Sequence, residues 1–127
     1  MKKNFIAYKG EEFTIEWYHD ANGKSQAHEY YEELSKSQKE KLEYLFYMLG
    51  DTGKIRSKEK FRNEDDQIYA FKPMPDRFLC FFYRGKKVIV TNAFEKKQDK
   101  LPPREKEKAL KLKDDYIKRC NGGKYYG

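Results

Sequence analysis

Four cations of this sequence stand at the ends of apolar runs. Lys72 closes Gln67-Ile-Tyr-Ala-Phe-Lys72, and Arg77 opens Arg77-Phe-Leu-Cys-Phe-Phe-Tyr83. Lys96 and Lys97 follow Lys86-Lys-Val-Ile-Val-Thr-Asn-Ala-Phe94. An arginine holds two phosphate oxygens at once with its planar fork, whereas a lysine is a point charge or, with its pKa depressed by neighbours, a proton carrier. The surrounding charge fits a phosphate-binding surface: Arg84 to Arg119 holds 13 Lys/Arg and 6 Asp/Glu, which accounts for the whole net charge of +7. The alternatives are plain: a charge run that is a solvated face, a turn arginine in solvent, and lysines that keep a sheet edge soluble.

Other reactive residue types are sparse. His19 and His28 both lie in the N-terminal region, far in sequence from the basic segment, and are not expected to be catalytic. Cys80 sits inside an apolar strand pattern and Cys120 in a polar C-terminal region, which suggests a buried thiol and an incidental one rather than a disulfide or zinc framework. No cofactor or metal is expected.

The elements that must position the cations follow from periodicity. Phe13 to Tyr18 alternates apolar and polar residues as a half-buried strand does. Ala27, Tyr30, Tyr31 and Leu34 recur at helical spacing behind a Ser25 N-cap. Ser37 and Glu40 have capping-box spacing, and Leu42, Leu45, Phe46 and Leu49 share a face up to a stop at Gly50. Residues 51–66 have no sustained period and read as an exposed connection. The three apolar runs then form strands at Gln67–Lys72, Arg77–Tyr83 and Lys86–Phe94, joined by links short enough to require antiparallel hairpins. Phe78, Cys80 and Phe82 alternate with Leu79, Phe81 and Tyr83, so the middle strand is apolar on both faces. A last helix opens at Pro102-Pro103 and carries Ala109, Leu112 and Tyr116 on one stripe, before a frayed, flexible tail at 121–127.

The expectation is an α+β single domain, ordered β-α-α-β-β-β-α, with an antiparallel-dominated sheet and helices mainly on one face. Its 127 residues suit one core, with residues 13–119 as the folded part, and the aromatic content of 17% implies a core of few large rings. The longest apolar runs fall far short of the roughly 20 residues of a membrane helix, and no signal-peptide pattern follows Met1, so no membrane association and a cytoplasmic location are expected.

The aromatic strand that begins at Arg77, the strand ending in Ala93-Phe-Glu-Lys-Lys97 and the Pro-initiated helix Leu101-Pro-Pro-Arg-Glu-Lys-Glu-Lys-Ala109 resemble, in that order, the RelE/ParE toxin superfamily, and within it the HigB-like, phage-associated branch. The resemblance spans roughly Phe13 to Arg119. It implies the toxin of a type II toxin–antitoxin pair, a metal-independent endoribonuclease that cuts mRNA on the ribosome, with a cognate antitoxin of helix-turn-helix type as partner. Inhibition of DNA gyrase, or another noncatalytic binding role, is the alternative within the same superfamily; an inactive prophage remnant is a third.

By that resemblance Lys72, Arg77, Lys96 and Lys97 are the catalytic candidates, with Lys97 completing the Phe-x-Lys-Lys signature of the branch. Lys58, Lys60, Arg62, Lys100 and Arg104 are candidates for holding RNA backbone. Several relatives place a tyrosine or an acid after the last strand as proton carrier; here Gln98, Asp99 and Lys100 stand there, and Asp99 and Glu95 both remain open for the role. Tyr69, Phe71 and Phe94 are candidates for base stacking or, more simply, core.

Overall fold

A computed structural model describes residues 5–127. Its elements are β1 (Ile6–Lys9), β2 (Thr14–Trp17), α1 (Gln26–Glu32), α2 (Lys36–Thr52), β3 (Phe61–Asn63), β4 (Tyr69–Phe71), β5 (Asp76–Tyr83), β6 (Lys87–Glu95) and α3 (Pro103–Asn121). One six-stranded sheet runs in the order β1-β2-β6-β5-β4-β3. The expected antiparallel pairings of β4, β5 and β6 are present, but β2 joins β6 in parallel, so the sheet is mixed. A parallel neighbour needs a long crossover, and α1 and α2 belong to that crossover.

Two strands have no counterpart among the expected elements. β1 precedes the first expected strand, and β3 lies inside the segment read as an exposed connection. Both are short edge strands, four and three residues long, too brief for a period of two to register.

The helices occupy both faces of the sheet. α1 and α2 cover a core of Ile15, Trp17, Phe71, Phe78, Cys80 and Val90, and α3 covers Ala70, Leu79, Phe81 and Ile89 with its own Ala109 and Tyr116. This is the physical consequence of β5 alternating apolar residues on both sides: each side must be covered. A reading with helices mainly on one face leaves Leu79 and Phe81 in water.

Ser25 caps α1 as expected, its side chain accepting from the His28 amide. The capping box of α2 is formed by Ser35 and Gln38, two residues before the expected pair. α2 continues past Gly50 to Thr52 and ends on Gly53, which takes the left-handed φ of 80°. Gly50 is needed inside the helix for close approach: the amides of Glu12 and Phe13 donate to its carbonyl at 2.7 and 2.9 Å, and an added Cβ would stand 2.7 Å from the Tyr8 ring.

The C-terminal residues, read as a frayed tail, are packed. Tyr125 is 2% exposed, and its hydroxyl accepts from the His19 amide at 2.8 Å. The Tyr126 hydroxyl donates to Glu16 Oε1 at 2.7 Å. Three glycines and two tyrosines in the last seven residues suggested disorder only because the rings' destination, the α3 side of β2, is set by tertiary packing.

Candidate nucleic-acid interface

Four strand ends meet at one edge of the sheet: the start of β3, the end of β4, the start of β5 and the end of β6. The Lys72 amide donates to the Lys60 carbonyl at 2.8 Å, and the Lys96 amide to the Pro75 carbonyl at 2.9 Å. These two bonds extend the ladders by one step and bring the backbones of residues 60, 72, 75 and 96 side by side.

Alternation then decides where the side chains go. Ile68 and Ala70 belong to the α3-side core, so Lys72 falls on that side. Leu79 and Phe81 place Arg77 there, and Phe94, paired with Arg77 across the β5–β6 ladder, places Lys96 there. Lys72, Arg77 and Lys96 accordingly line one cleft of about 250 Å³ together with Glu59, Lys60 and Met74. A second, smaller recess continues it past Lys72, Arg77 and Lys96 to Glu64, Gln98, Asp99 and Lys100 under the start of α3.

Arg77 is more enclosed than a turn arginine in solvent, at 7% exposure. Its Nη1 donates to the Asp76 carbonyl at 3.1 Å and lies 3.3 Å from the Met74 sulfur. Its guanidinium is thereby fixed, while the charge it carries is answered by Glu64, Asp76 and Asp99 at a distance rather than by a paired carboxylate. Lys72 feels the consequence. Burial first, then the Arg77 and Arg62 cations, pull its pKa below the ordinary lysine value, and Glu64 acts against them.

Lys97 is not brought to this cluster. It lines a neighbouring recess with Tyr30, Gln98, Arg104 and Glu105, so the four expected catalytic cations divide into three and one, and Arg104 goes with Lys97. Among the expected backbone-holding residues, Lys60 walls the cleft itself, Lys100 its far end, and Arg62 is close enough to act on Lys72. Lys58 is exposed in the turn before β3.

The two acids left open separate clearly. Asp99 pairs with Lys96 Nζ at 2.8 Å, and this bond lowers its pKa, so it is a weak proton acceptor. Glu95 opposes Asp76 in the ladder and faces the recesses beside α1. Glu59 lines the cleft itself, while Glu64, whose charge acts on both Lys72 and Arg77, lines the adjoining recess beside Asp99, within the segment expected to be an exposed connection. The signal for Glu64 was Phe61-Arg-Asn-Glu64, three residues of strand followed by an acid, hidden by the shortness of β3.

The remaining candidates are structural. His28 stacks on Trp17 at 5.1 Å, and His19 Nδ1 lies 3.0 Å from the Trp17 carbonyl oxygen. Phe71 is core, Tyr69 stacks on Phe61 at 5.5 Å, and Phe94 is half-buried at the cleft's edge. Burial pushes the Cys80 thiol well up, which makes it unreactive. Among the described residues no helix is long and apolar enough to cross a membrane.

The family model described as phage derived protein Gp49-like (DUF891) matches residues 29–114, about two thirds of the chain. The chain belongs to this family. The Gp49-like span runs from α1 into α3 and contains the whole cationic cleft, Lys97 and Arg104 included; β1, β2 and the packed C-terminal tyrosines lie outside it. No curated protein matches the chain significantly.

Proposed function

We propose that the chain is the toxin of a type II toxin–antitoxin pair, of the HigB-like branch of the RelE/ParE superfamily, and that it cleaves mRNA at the ribosome. The observation that carries this reading is the convergence of Lys72, Arg77 and Lys96 at a single sheet edge, with Glu64 in the adjoining recess as a carboxylate not tied to Lys96 as Asp99 is. Membership of a phage-derived family is compatible with it.

The chemistry needs a proton acceptor, cations at the phosphoryl oxygens and a proton for the leaving oxygen. Arg77 and Lys96 hold the non-bridging oxygens of the phosphate. Glu64 takes the proton from the ribose 2′-hydroxyl, whose oxygen attacks phosphorus. The bond from phosphorus to the 5′-oxygen breaks, and Lys72 gives that oxygen a proton. Its lowered pKa makes it a better acid than an ordinary lysine. The products are a 2′,3′-cyclic phosphate and a 5′-hydroxyl. Lys97, Lys100 and Arg104 bind adjacent backbone phosphates, and the antitoxin, of helix-turn-helix type, blocks this surface.

A noncatalytic role, such as gyrase inhibition, is favoured by one observation: Asp99, at the position where relatives carry a proton carrier, is tied to Lys96. Induced expression separates the two. Growth arrest with fragmented mRNA and normal plasmid supercoiling supports the nuclease; arrest with intact mRNA and altered supercoiling overturns it.

A further inference from the structure

A second groove adjoins the cationic cleft. It measures about 590 Å³, within the range of about 300–1,000 Å³ of small-ligand pockets, and lies between α2 and the turn that joins β4 to β5. Its apolar wall is Tyr44, Leu45, Pro73 and Met74. Ser37, Glu40, Lys41 and Tyr44 follow one another at i, i+3, i+4 and i+7, so a single stripe of α2 faces it. Tyr44 is 59% exposed and Met74 40%, both large apolar groups left in water.

Lys60 and Met74 wall both cavities, so the groove opens beside the phosphate cleft without an intervening element. From this continuity we propose that the groove receives an unstacked nucleobase of the single-stranded RNA whose phosphate lies against Lys72, Arg77 and Lys96. This rests on the nuclease reading above and specifies its substrate as a splayed single strand. The base lies on the Tyr44 ring with Met74 against its edge. Glu40 accepts from an exocyclic amino group, and Lys41 donates to a ring nitrogen or carbonyl. Stacking on an aromatic side chain tolerates any base, so Tyr44 supplies affinity, and Glu40 with Lys41 supplies preference for bases that carry an amino group.

The test uses the full chain and short RNA oligonucleotides with a 2′-deoxy nucleotide at the cleavage position, which blocks attack. Binding is read by fluorescence anisotropy at low salt, with an abasic residue moved along the strand. In the wild type one abasic position lowers affinity about tenfold or more, the scale of a single base-stacking contact. Tyr44→Ala removes that difference and leaves the salt dependence unchanged; Tyr44→Phe keeps the difference. Lys96→Ala shows the opposite pattern, with a shallower salt slope and the abasic penalty retained. Should Tyr44→Ala not fold, Tyr44→Leu, which keeps apolar bulk but offers no aromatic face, carries the same expectation. An abasic penalty equal in wild type and Tyr44→Ala, or absent at every position in the wild type, overturns the nucleobase site alone. Absence of any binding to RNA, whether free or presented on a programmed ribosome, overturns the nuclease reading with it. A Tyr44→Ala protein that binds RNA normally but no longer co-purifies with a co-expressed partner assigns the groove to a protein and overturns the proposal.

Discussion

Asp76 and Arg77 are adjacent in sequence and face opposite sides of the sheet. The Asp76 carboxylate accepts from the Tyr30 hydroxyl at 2.6 Å and from Gln38 Nε2 at 3.3 Å, while Arg77 turns into the cationic cleft. One residue thus fastens the start of β5 to both α1 and α2, and the next presents a guanidinium from that fixed point. Asp76→Ala leaves the Tyr30 hydroxyl without its acceptor and should cost about 2 kcal/mol in denaturant unfolding. Arg77→Ala should cost less, because lost packing is offset by relief of the repulsion among three cations. Equal or reversed losses would mean that Arg77, not Asp76, secures the strand.

The Lys72 ammonium should titrate below an ordinary lysine, and Arg77 is the largest charge responsible after burial. With Lys72 as the proton donor, cleavage falls as pH rises through that lowered pKa, since the donor is then empty. In Lys72→Arg cleavage should be slower at every pH and the alkaline limb should disappear, because a guanidinium keeps its proton and gives none to the leaving oxygen. A pH profile unchanged by this substitution would remove Lys72 from the proton transfer.

The C-terminal tyrosines should contribute measurably to stability. Tyr125→Ala takes a buried ring from the core formed with Tyr18 and Tyr116 and should cost about 3 kcal/mol, seen as a lowered denaturant midpoint. A loss near zero would show that residues 124–127 are the frayed tail the composition suggests.

Alkaline unfolding reads the same region. Burial, and then the Asp115 carboxylate, push the Tyr18 pKa up to about 12. The folded-state value is raised above the usual 10, so this stabilisation is complete below about pH 10 and is lost as pH climbs from 10 through 12. Tyr18→Phe should flatten the fall in melting temperature over that window. An unaltered slope would place the alkaline sensitivity in Tyr116, Tyr125 or Tyr126, whose pKa values burial also raises.

How far the sequence disclosed this arrangement depended on element length. β5 and β6 are eight and nine residues long and were legible within a residue or so, and the helices of α1 and α3 followed from their stripes. The three cations of the cleft were legible for the same reason: each lies at the end of a long strand or across a tight turn from one. β1 and β3 were not, and with β3 went Glu64. Lys97 lines the neighbouring recess because adjacent residues at a strand end alternate faces, which separates it from Lys96. The division of helices between the two faces was implicit in Leu79 and Phe81, which need cover as much as Phe78 and Cys80 do.

On the proposed nuclease mechanism, a preorganised Arg77 stabilises charge developing on a scissile phosphate. The most direct test of this role is single-turnover cleavage of mRNA on programmed ribosomes, comparing wild type with Arg77→Ala whose fold is verified by circular dichroism. Fragments ending in a 2′,3′-cyclic phosphate should appear with wild type, and cleavage by the variant should be slower by about 100-fold or more, the scale of removing one preorganised donor. A folded Arg77→Ala protein that cuts at the wild-type rate, or a wild-type protein that leaves the mRNA intact, would contradict the account.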